Sequence, residues 1–284
     1  MAKAHYGSIY NLYGLCGPGT YMLLGPTEAG KSWMIKQLYF YATTKMCPKE
    51  RRIHFETVIC LSTTSTINKD YDWNENIIHL QPSNDVIREI IKERKNEMID
   101  ACKELKIPKS EAEEWATDHP MLIMMDDTYG NVDFTTPGNP GSSLATKARH
   151  YGIWFVCAVQ YVHQVGPVFH DNARCWICFS TNAKDHKKIV DLHHGINKEL
   201  VKICSRHNKK AHHIVVYITT WRFRKFYGVK ANRILLLFPI PSVDTDLKKK
   251  QEIKERYKQL QENSDDSENE DLFNHMIHQS VEKK

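Results

Sequence analysis

The sequence predicts an α/β fold built on a doubly wound, mostly parallel sheet. Short apolar runs of strand length alternate along the 284-residue chain with segments of helical periodicity. A glycine-containing stretch at 25–32 joins one apolar run to a helical segment, and a second run, at 121–125, ends in Asp126 and Asp127. Both features are typical of sheets whose site lies at the carboxyl ends of parallel strands.

The stretch at 25–32 matches the pattern G-x-x-x-x-G-K-[ST]. Residues 21–24 before it are apolar and of strand length, and residues 33–43 after it have helical spacing, which is the context that a phosphate-binding P-loop needs. We expect Lys31 to reach the β- and γ-phosphates of ATP and the Ser32 hydroxyl to ligate Mg²⁺. The predicted nucleotide-binding residues are Gly25, Pro26, Thr27, Glu28, Ala29, Gly30, Lys31 and Ser32.

Four elements are predicted between the P-loop and the paired aspartates. Residues 57–61 predict a buried strand and 77–80 a short one. Apolar residues recur at helical spacing across 83–106, and 111–117 continue as a shorter helix. This order of elements agrees with a doubly wound sheet.

The run at 121–125 predicts a strand buried on both faces that ends at Asp126 and Asp127. A buried strand whose carboxyl end places carboxylates beside the phosphate site is the second signature of P-loop NTPases. We predict that Asp126 holds Mg²⁺ together with Ser32. Asp127 is expected to orient or deprotonate the attacking water.

A Gly-, Pro- and Asn-rich stretch at 130–143 predicts a long loop of the kind that is usually functional or mobile. A helix over 144–150 and a buried strand over 153–159 follow, and this strand ends at Gln160. Gln160 would lie beside the Mg²⁺ strand and sense the γ-phosphate or position water. An extra strand between the P-loop and the strand that ends at Asp126 favours the RecA-like division of P-loop NTPases.

The remaining elements complete the predicted domain. They are strands at 175–179, 213–219 and 233–238 and a helix at 183–192. Residues 244–284 hold 8 Lys and Arg against 11 Asp and Glu, which leaves 31 and 23 in the rest of the chain. We therefore divide the chain into an ATPase domain, 1–243, and a tail, 244–284, with a charged helix and an acidic flexible stretch.

Composition excludes some classes of function. No run of 18 apolar residues is present, so we expect no membrane span, and the first residues lack the apolar segment of a secretory signal. The basic balance of residues 1–243 favours a polyanionic partner.

The run at 148–154, leading to Gln160 and then to 172–177, resembles the FtsK–HerA superfamily of DNA-pumping ATPases. In that family a basic pair precedes Gly-Ile at the start of a strand that ends in Gln. The doubled aspartate and the short single-domain chain are similar to viral genome-packaging ATPases of the poxvirus type, also found in giant viruses and virophages. The resemblance covers residues 18–240.

The resemblance implies an ATP-driven translocase that packages a viral double-stranded DNA genome. It implies a homo-oligomeric ring, a hexamer or pentamer, with ATP between subunits, DNA in the pore and a capsid protein as a partner. A neighbouring subunit would supply an arginine finger, for which Arg149 and Arg174 are both candidates. The expected location is the host cytoplasm or viral factory, with association with the virion and without secretion.

Three segments are candidates for contact with DNA. Two are basic, 206–210 and 222–227, and the second continues to Lys230 and Arg233. Lys and Arg side chains neutralise backbone phosphates without reading sequence, which suits a translocase. The third is the loop at 130–143.

Three alternative functions remain open from the sequence. A GTP-binding switch protein has some support from Asp127-x-x-Gly130 and from Asn182-Ala183-Lys184-Asp185, which is similar to the guanine-reading N-K-x-D with its Lys one place late. A small-molecule kinase would need an arginine-rich lid, and no clear one is present. A nucleotide-dependent scaffold that binds DNA or capsid would have the same motifs.

Overall fold

The computed structural model describes residues 5–7, 17–43, 53–64, 71–128, 130–194, 198–209, 213–218 and 225–230. The strands are β1 (His5–Gly7), β2 (Gly19–Leu24), β3 (Thr57–Ser62), β4 (Ile77–Leu80), β5 (Met121–Asp126), β6 (Ile153–Val159), β7 (Ala173–Phe179), β8 (His213–Ile218) and β9 (Lys225–Lys230). The helices are α1 (Lys31–Thr43), α2 (Asn84–Glu104), α3 (Ala112–Asp118), α4 (Pro140–Lys147), α5 (Pro167–Asn172), α6 (Ala183–His194) and α7 (Lys198–Asn208). Short 3-10 helices lie at Lys109–Glu111 and Val162–Gln164.

The strands form one sheet in the order β4-β3-β5-β6-β2-β7-β8-β9-β1. The six strands from β4 to β7 are mutually parallel, whereas β8 is antiparallel to both of its neighbours. Strand β6 lies between the P-loop strand β2 and the aspartate strand β5. The predicted doubly wound, mostly parallel sheet with an additional strand between the two motifs is therefore confirmed.

Helices cover both faces of the sheet, which explains why the central strands are mostly apolar. On one face α1 packs Met34 and Ile35 against alternate strand residues such as Leu23. On the other face α2, α4, α5, α6 and α7 pack against the intervening residues, among them Leu24 and Met125. Successive strand residues point to opposite faces, so a strand buried on both sides holds a polar side chain only where a partner is present, as for Thr20 in β2, whose hydroxyl donates to the carbonyl oxygen of Ala145 at 3.1 Å.

The structure corrects several predicted boundaries and adds elements. The predicted loop at 130–143 ends sooner, because α4 begins at Pro140, whose fixed φ suits a first helical turn. Strand β7 begins at Ala173, two residues earlier than predicted. Helices α5 and α7 and strands β1 and β9 were not predicted. The predicted strand at 233–238 and the tail at 244–284 lie outside the described residues.

Within the described ranges, no helix is both long enough and apolar enough to cross a membrane.

Candidate nucleotide-binding site

Five parallel strands end at the same edge of the sheet, and the two sequence motifs meet there. Strands β2, β3, β5, β6 and β7 all deliver their carboxyl ends to this edge. A cavity of about 320 Å³ opens between the P-loop and the ends of the neighbouring strands. Its lining includes Thr27, Glu28, Gly30, Lys31, Ser32, Thr64, Asp126, Asp127, Phe134, Gln160 and Gln164.

The backbone of the P-loop has the conformation of an anion-binding loop. Glu28 and Gly30 have φ angles of +61° and +94°, and these left-handed residues turn successive N–H groups toward a common centre. Gly25 is required for another reason, since a Cβ there would lie 2.6 Å from the carbonyl oxygen of Phe179. The N–H of Gly25 also donates to the carbonyl oxygen of Val159 at 3.1 Å, which ties the loop to β6.

Lys31 lies across the concave side of this loop. Its ammonium donates to the carbonyl oxygens of Gly25 at 2.8 Å and Pro26 at 2.7 Å. Burial lowers the pKa of Lys31, and the carboxylates of Asp126 and Asp127 oppose that shift. Burial therefore disfavours the charged form of Lys31 more than the two carboxylates favour it. Phosphate oxygens beside the ammonium would stabilise that charge.

Ser32, the first-turn serine of α1, meets the end of β5. Its hydroxyl donates to Oδ2 of Asp126 at 2.5 Å. The hydroxyl of Tyr71 donates to the same oxygen at 2.7 Å. Burial, followed by the nearby Asp126 charge, raises the pKa of Tyr71 well above its usual value, so this phenol stays protonated and is a permanent donor.

These oxygens fit Mg²⁺. The ion prefers hard oxygen ligands and is bound by one or two carboxylates with substrate phosphates and water rather than by a full protein cage. Ser32 and Asp126 supply one hydroxyl and one carboxylate at hydrogen-bonding distance, next to Lys31. No group of three or more His, Cys, Asp or Glu side chains elsewhere in the described ranges is arranged for a metal.

Asp127 follows in a left-handed conformation, with φ of +53°. Its carbonyl oxygen accepts a hydrogen bond from Thr63 Oγ1 at 3.1 Å, which anchors the turn to the end of β3. A non-glycine residue at positive φ costs roughly 1–2 kcal/mol. The left-handed residue turns the chain sharply at the end of β5. As a result, Asp127 is exposed in the cavity wall and is not buried in the core.

Gln160 also lines the cavity, at the end of β6 as predicted. A second glutamine fixes its position: Oε1 of the buried Gln164 accepts hydrogen bonds from the backbone N–H groups of Gln160 at 2.7 Å and Tyr161 at 3.0 Å. The turn after β6 is therefore held by a side chain that itself borders the cavity.

The two arginine candidates lie away from this cavity. Arg149 and Arg174 precede or begin β6 and β7, so both are at the opposite edge of the sheet from the P-loop of the same chain. Arg174 is half-buried, donates to the carbonyl oxygen of Pro18 at 2.7 Å and packs over Gly19. Arg149 is exposed, with a 3.4 Å contact to Nε2 of His150. An arginine finger supplied by a neighbouring subunit remains a prediction for either residue.

The stretch after Asp127 is an organised loop. The Asp133 carboxylate accepts hydrogen bonds from Thr135, Thr136 and Asn139. The bonds from Thr136 and Thr135 hold its pKa well below the usual range. If this loop contacts DNA as predicted, its Thr and Asn side chains would have to exchange their bonds to Asp133 for bonds to the nucleic acid. The exposed residues 135–138 form the tip.

The residues that suggested guanine recognition have a structural role. Asn182 Nδ2 donates to Oδ2 of Asp185 at 2.7 Å, and the N–H of Asp185 donates to Oδ1 of Asn182 at 2.9 Å. This reciprocal pair caps the first turn of α6 and satisfies one of its backbone donors, the N–H of Asp185. Because the two side chains bind each other, the helix cap accounts for the pattern.

Sequence reasoning missed Tyr71 and Gln164. Tyr71 lies in a polar stretch without periodicity, 55 positions before Asp126, so no local pattern indicates their contact. Gln164 lies four residues after Gln160 across a turn that the sequence does not mark. The one available signal is that Gln164 lies in the short segment after a strand that is followed by a polar residue, Gln160.

The fold and the site define a P-loop NTPase: the parallel sheet has the additional strand, and the phosphate loop faces the paired aspartates across one cavity. No protein-family model and no curated protein matches the sequence. Similarity appears among solved structures.

Among the solved structures that match, the following two each cover about three quarters of this chain. The genome packaging NTPase B204 from Sulfolobus turreted icosahedral virus 2, in complex with ATP-gammaS, has a TM-score of 0.48 at 15% identity, over 75% of this chain and 98% of that chain. The pCW3 conjugation coupling protein TcpA, in its monomer form with ATPgS, has a TM-score of 0.49 at 13% identity, over 76% and 61%. At such identities the likeness concerns the fold alone.

Proposed function

We propose that this protein is an ATP-hydrolysing DNA translocase that acts as a homo-oligomeric ring and packages a viral double-stranded DNA genome. The observation that carries the proposal is the convergence of Lys31, Ser32, Asp126, Asp127 and Gln160 around one cavity. That set supplies the parts that phosphoryl transfer to water requires: a phosphate cradle, a cation site and groups that position the water.

Each residue has a role that follows from its position. Lys31 and the P-loop N–H groups bind the β- and γ-phosphates, which compensates the buried ammonium charge. Ser32 and Asp126 hold Mg²⁺, which when bound neutralises charge on the phosphate oxygens. Asp127, exposed at the cavity wall, accepts a proton from the attacking water, and Gln160 orients that water.

The proposed DNA partner is supported by a basic stripe on α7. Lys198, Lys202 and Arg206 are exposed at four-residue spacing, and the exposed Lys209 directly follows the helix. Residues four apart lie on one helix face, so the three helical side chains span about 12 Å along α7 at 1.5 Å per residue, and Lys209 extends the stripe beyond the helix. Side chains arranged this way bind phosphates by charge and carry no sequence information.

The basic end of α7 is fixed at the edge of the sheet where the nucleotide binds. Asn208 Nδ2 donates to the carbonyl oxygen of Cys178 at 3.0 Å, and its Oδ1 accepts from the N–H of Thr181 at 2.7 Å. Thr181 in turn donates to the carbonyl oxygen of Leu24, the last residue of the P-loop strand, at 3.4 Å. The stripe therefore adjoins the ATP site through directly bonded residues.

A charge-reversal experiment tests whether the basic stripe on α7 binds DNA. The triple variant Lys202→Glu, Arg206→Glu and Lys209→Glu should bind double-stranded DNA much more weakly and with a smaller salt dependence, at unchanged affinity for ATP. The matched control reverses three lysines on α2, Lys92, Lys95 and Lys103, and should bind DNA like the wild type. Equal loss in both variants would mean that only net charge matters and that α7 is not the contact surface.

The ring and the capsid partner follow from the expected resemblance to packaging ATPases. In a ring, the arginines at the far edge of one subunit's sheet can face the nucleotide of the next. Arg149 is the better candidate, because it is exposed, whereas Arg174 is occupied by Pro18. Mixing Arg149→Ala subunits with Lys31→Ala subunits tests this: a trans finger predicts partial recovery of ATPase activity in mixed rings, and no recovery would exclude it.

A further inference from the structure

A buried tyrosine lies in the cation-binding corner of the site, outside both sequence motifs. Tyr71 is 1% exposed, and its hydroxyl donates to Oδ2 of Asp126 at 2.7 Å. The Ser32 hydroxyl donates to the same oxygen at 2.5 Å. One carboxylate oxygen therefore holds two hydroxyl donors, which leaves Oδ1 as the oxygen available to a cation or its water.

The arrangement is compatible with a bound cation. A serine hydroxyl ligates a metal through an oxygen lone pair and still donates its proton, so the Ser32–Asp126 bond can persist when the metal is present. A carboxylate with one donor can still rotate about its Cβ–Cγ bond. A second donor, from Tyr71, fixes that rotation and selects which oxygen faces the metal.

The support behind Tyr71 is rigid. Tyr71 belongs to the core cluster between α1 and the sheet, which also contains Met34 and Cys60. Two residues further on, the ring of Trp73 lies 4.8 Å from that of Tyr39 on α1. The first turn of the same helix contains Ser32, so a donor held by packing on that helix keeps a constant geometry relative to the serine.

We propose that Tyr71 is a positioning residue for the Mg²⁺–nucleotide complex, acting through the Asp126 carboxylate. This role rests on the proposed nucleotide site and deepens it. Loss of a hydrogen-bonding partner behind a metal ligand typically weakens metal affinity by about 10- to 100-fold. Because Ser32 still donates to Asp126, we expect the lower end of that range, about tenfold, for Tyr71→Phe.

The test compares two buried tyrosines in the full-length protein. Tyr71→Phe removes the hydroxyl at Asp126. Tyr39→Phe is the matched control, because Tyr39 is also buried and its hydroxyl accepts from Asn74 Nδ2 at 2.9 Å, away from the cation site. Calorimetry measures the Kd of ATPγS in EDTA and across a Mg²⁺ titration, and melting curves report folding.

The expected result is a shift in Mg²⁺ dependence alone. Tyr71→Phe should bind ATPγS in EDTA like the wild type but need about tenfold more Mg²⁺ for half of the Mg²⁺-dependent gain in affinity. Tyr39→Phe should show the wild-type midpoint. Under steady-state turnover, saturating Mg²⁺ should restore kcat in Tyr71→Phe, which a general structural defect would not allow.

Two outcomes overturn the proposal in distinguishable ways. If wild type and Tyr39→Phe gain affinity from Mg²⁺ and Tyr71→Phe has the same or a lower midpoint, Tyr71 has no positioning role although the nucleotide site stands. If the wild type binds no nucleotide, the proposed function fails and the role of Tyr71 fails with it. A double variant separates the proposed role from a loss of stability in Tyr71→Phe. In an Asp126→Asn background, Tyr71→Phe should not shift the Mg²⁺ midpoint further. An additive shift counts against the proposal.

Discussion

The Ser32 hydroxyl donates to Oδ2 of Asp126 at 2.5 Å, although 94 positions separate the two residues in the chain. The parallel strands β2 and β5 bring them together, with β6 between them, because all three strands end at one edge of the sheet. A motif at the start of a helix and a motif at the end of a strand thus meet at the proposed cation site. The predictions below treat that site as a unit.

The first prediction separates binding from stability at Lys31. Burial lowers the pKa of this ammonium, which means that the fold without nucleotide does not favour its charge. Lys31→Met should therefore melt at the same or a higher temperature than the wild type. Its ATP turnover should fall by about 100-fold or more, as when one transition-state donor is removed.

Lys36→Met serves as the control for Lys31. Lys36 lies on the same helix, and its ammonium is 5.9 Å from the ring centroid of Phe40. Its loss should leave turnover unchanged. A strongly destabilised Lys31→Met protein would show that the ammonium mainly supports the loop through the carbonyl oxygens of Gly25 and Pro26.

Substitution of Asp126 and of Asp127 should impair different steps, cation binding in the first case and hydrolysis in the second. Asp126→Asn weakens the cation site, so we expect a raised Mg²⁺ requirement for nucleotide binding. Asp127→Asn keeps the cation site and removes the proton acceptor, so nucleotide affinity should stay within about twofold while kcat falls by about 100-fold or more. Binding by calorimetry and turnover by phosphate release separate the two. Identical behaviour of both variants would contradict the assignment.

Gln164 should matter through Gln160. Its Oε1 accepts from two backbone N–H groups in a buried turn, so Gln164→Ala should cost about 1–3 kcal/mol of unfolding free energy and also lower kcat. Gln160→Ala should lower kcat with little loss of stability, since Gln160 is only half-buried. Urea unfolding and turnover measured on both variants check this, and a stable, active Gln164→Ala protein would contradict it.

Two buried histidines should make stability depend on pH. Burial lowers the pKa of His186 to about 4, and burial with the nearby Lys188 lowers the pKa of His170 to about 4. The unfolded chain, with histidine pKa values near 6.5, then binds more protons than the folded one between these values. Stability should be full above pH 6.5 and fall toward pH 4, by up to about 3 kcal/mol for each group.

Urea unfolding at several pH values measures this slope. His170→Phe keeps a ring against Trp176, whose centroid lies 5.2 Å from that of His170, and removes one titrating group. Its stability should fall less steeply below pH 6.5 than that of the wild type. An unchanged slope would show that His170 does not contribute.

The tail provides a simple test of the domain boundary. We expect a chain that ends at Val243 to retain ATPase activity, because all residues of the proposed site precede it. Loss of activity with intact folding would place residues 244–284 within the working domain.

The elements that were predicted correctly are those whose apolar pattern and end residues lie close together in the sequence. The strand–loop–helix at 20–43 and the strands at 121–126 and 153–159 combine strong apolar runs with residues that end them, and the structure has them almost at the predicted bounds. Helix α7 was not predicted, although its pattern is amphipathic: Val201 and Cys204 pack on the core at helical spacing, and Lys202 and Arg206 are exposed. No local pattern marks Tyr71 as part of the proposed cation site, since its contact with Asp126 depends on packing between residues 55 positions apart.

The most direct test of the proposed function is nucleotide hydrolysis by the purified protein, with ATP and with GTP, in the presence and absence of double-stranded DNA. The account predicts ATP-selective turnover that DNA stimulates and that both Lys31→Met and Asp127→Asn abolish. Preference for GTP would instead indicate a switch protein. Nucleotide binding without DNA-stimulated turnover would contradict the translocase and favour a scaffold.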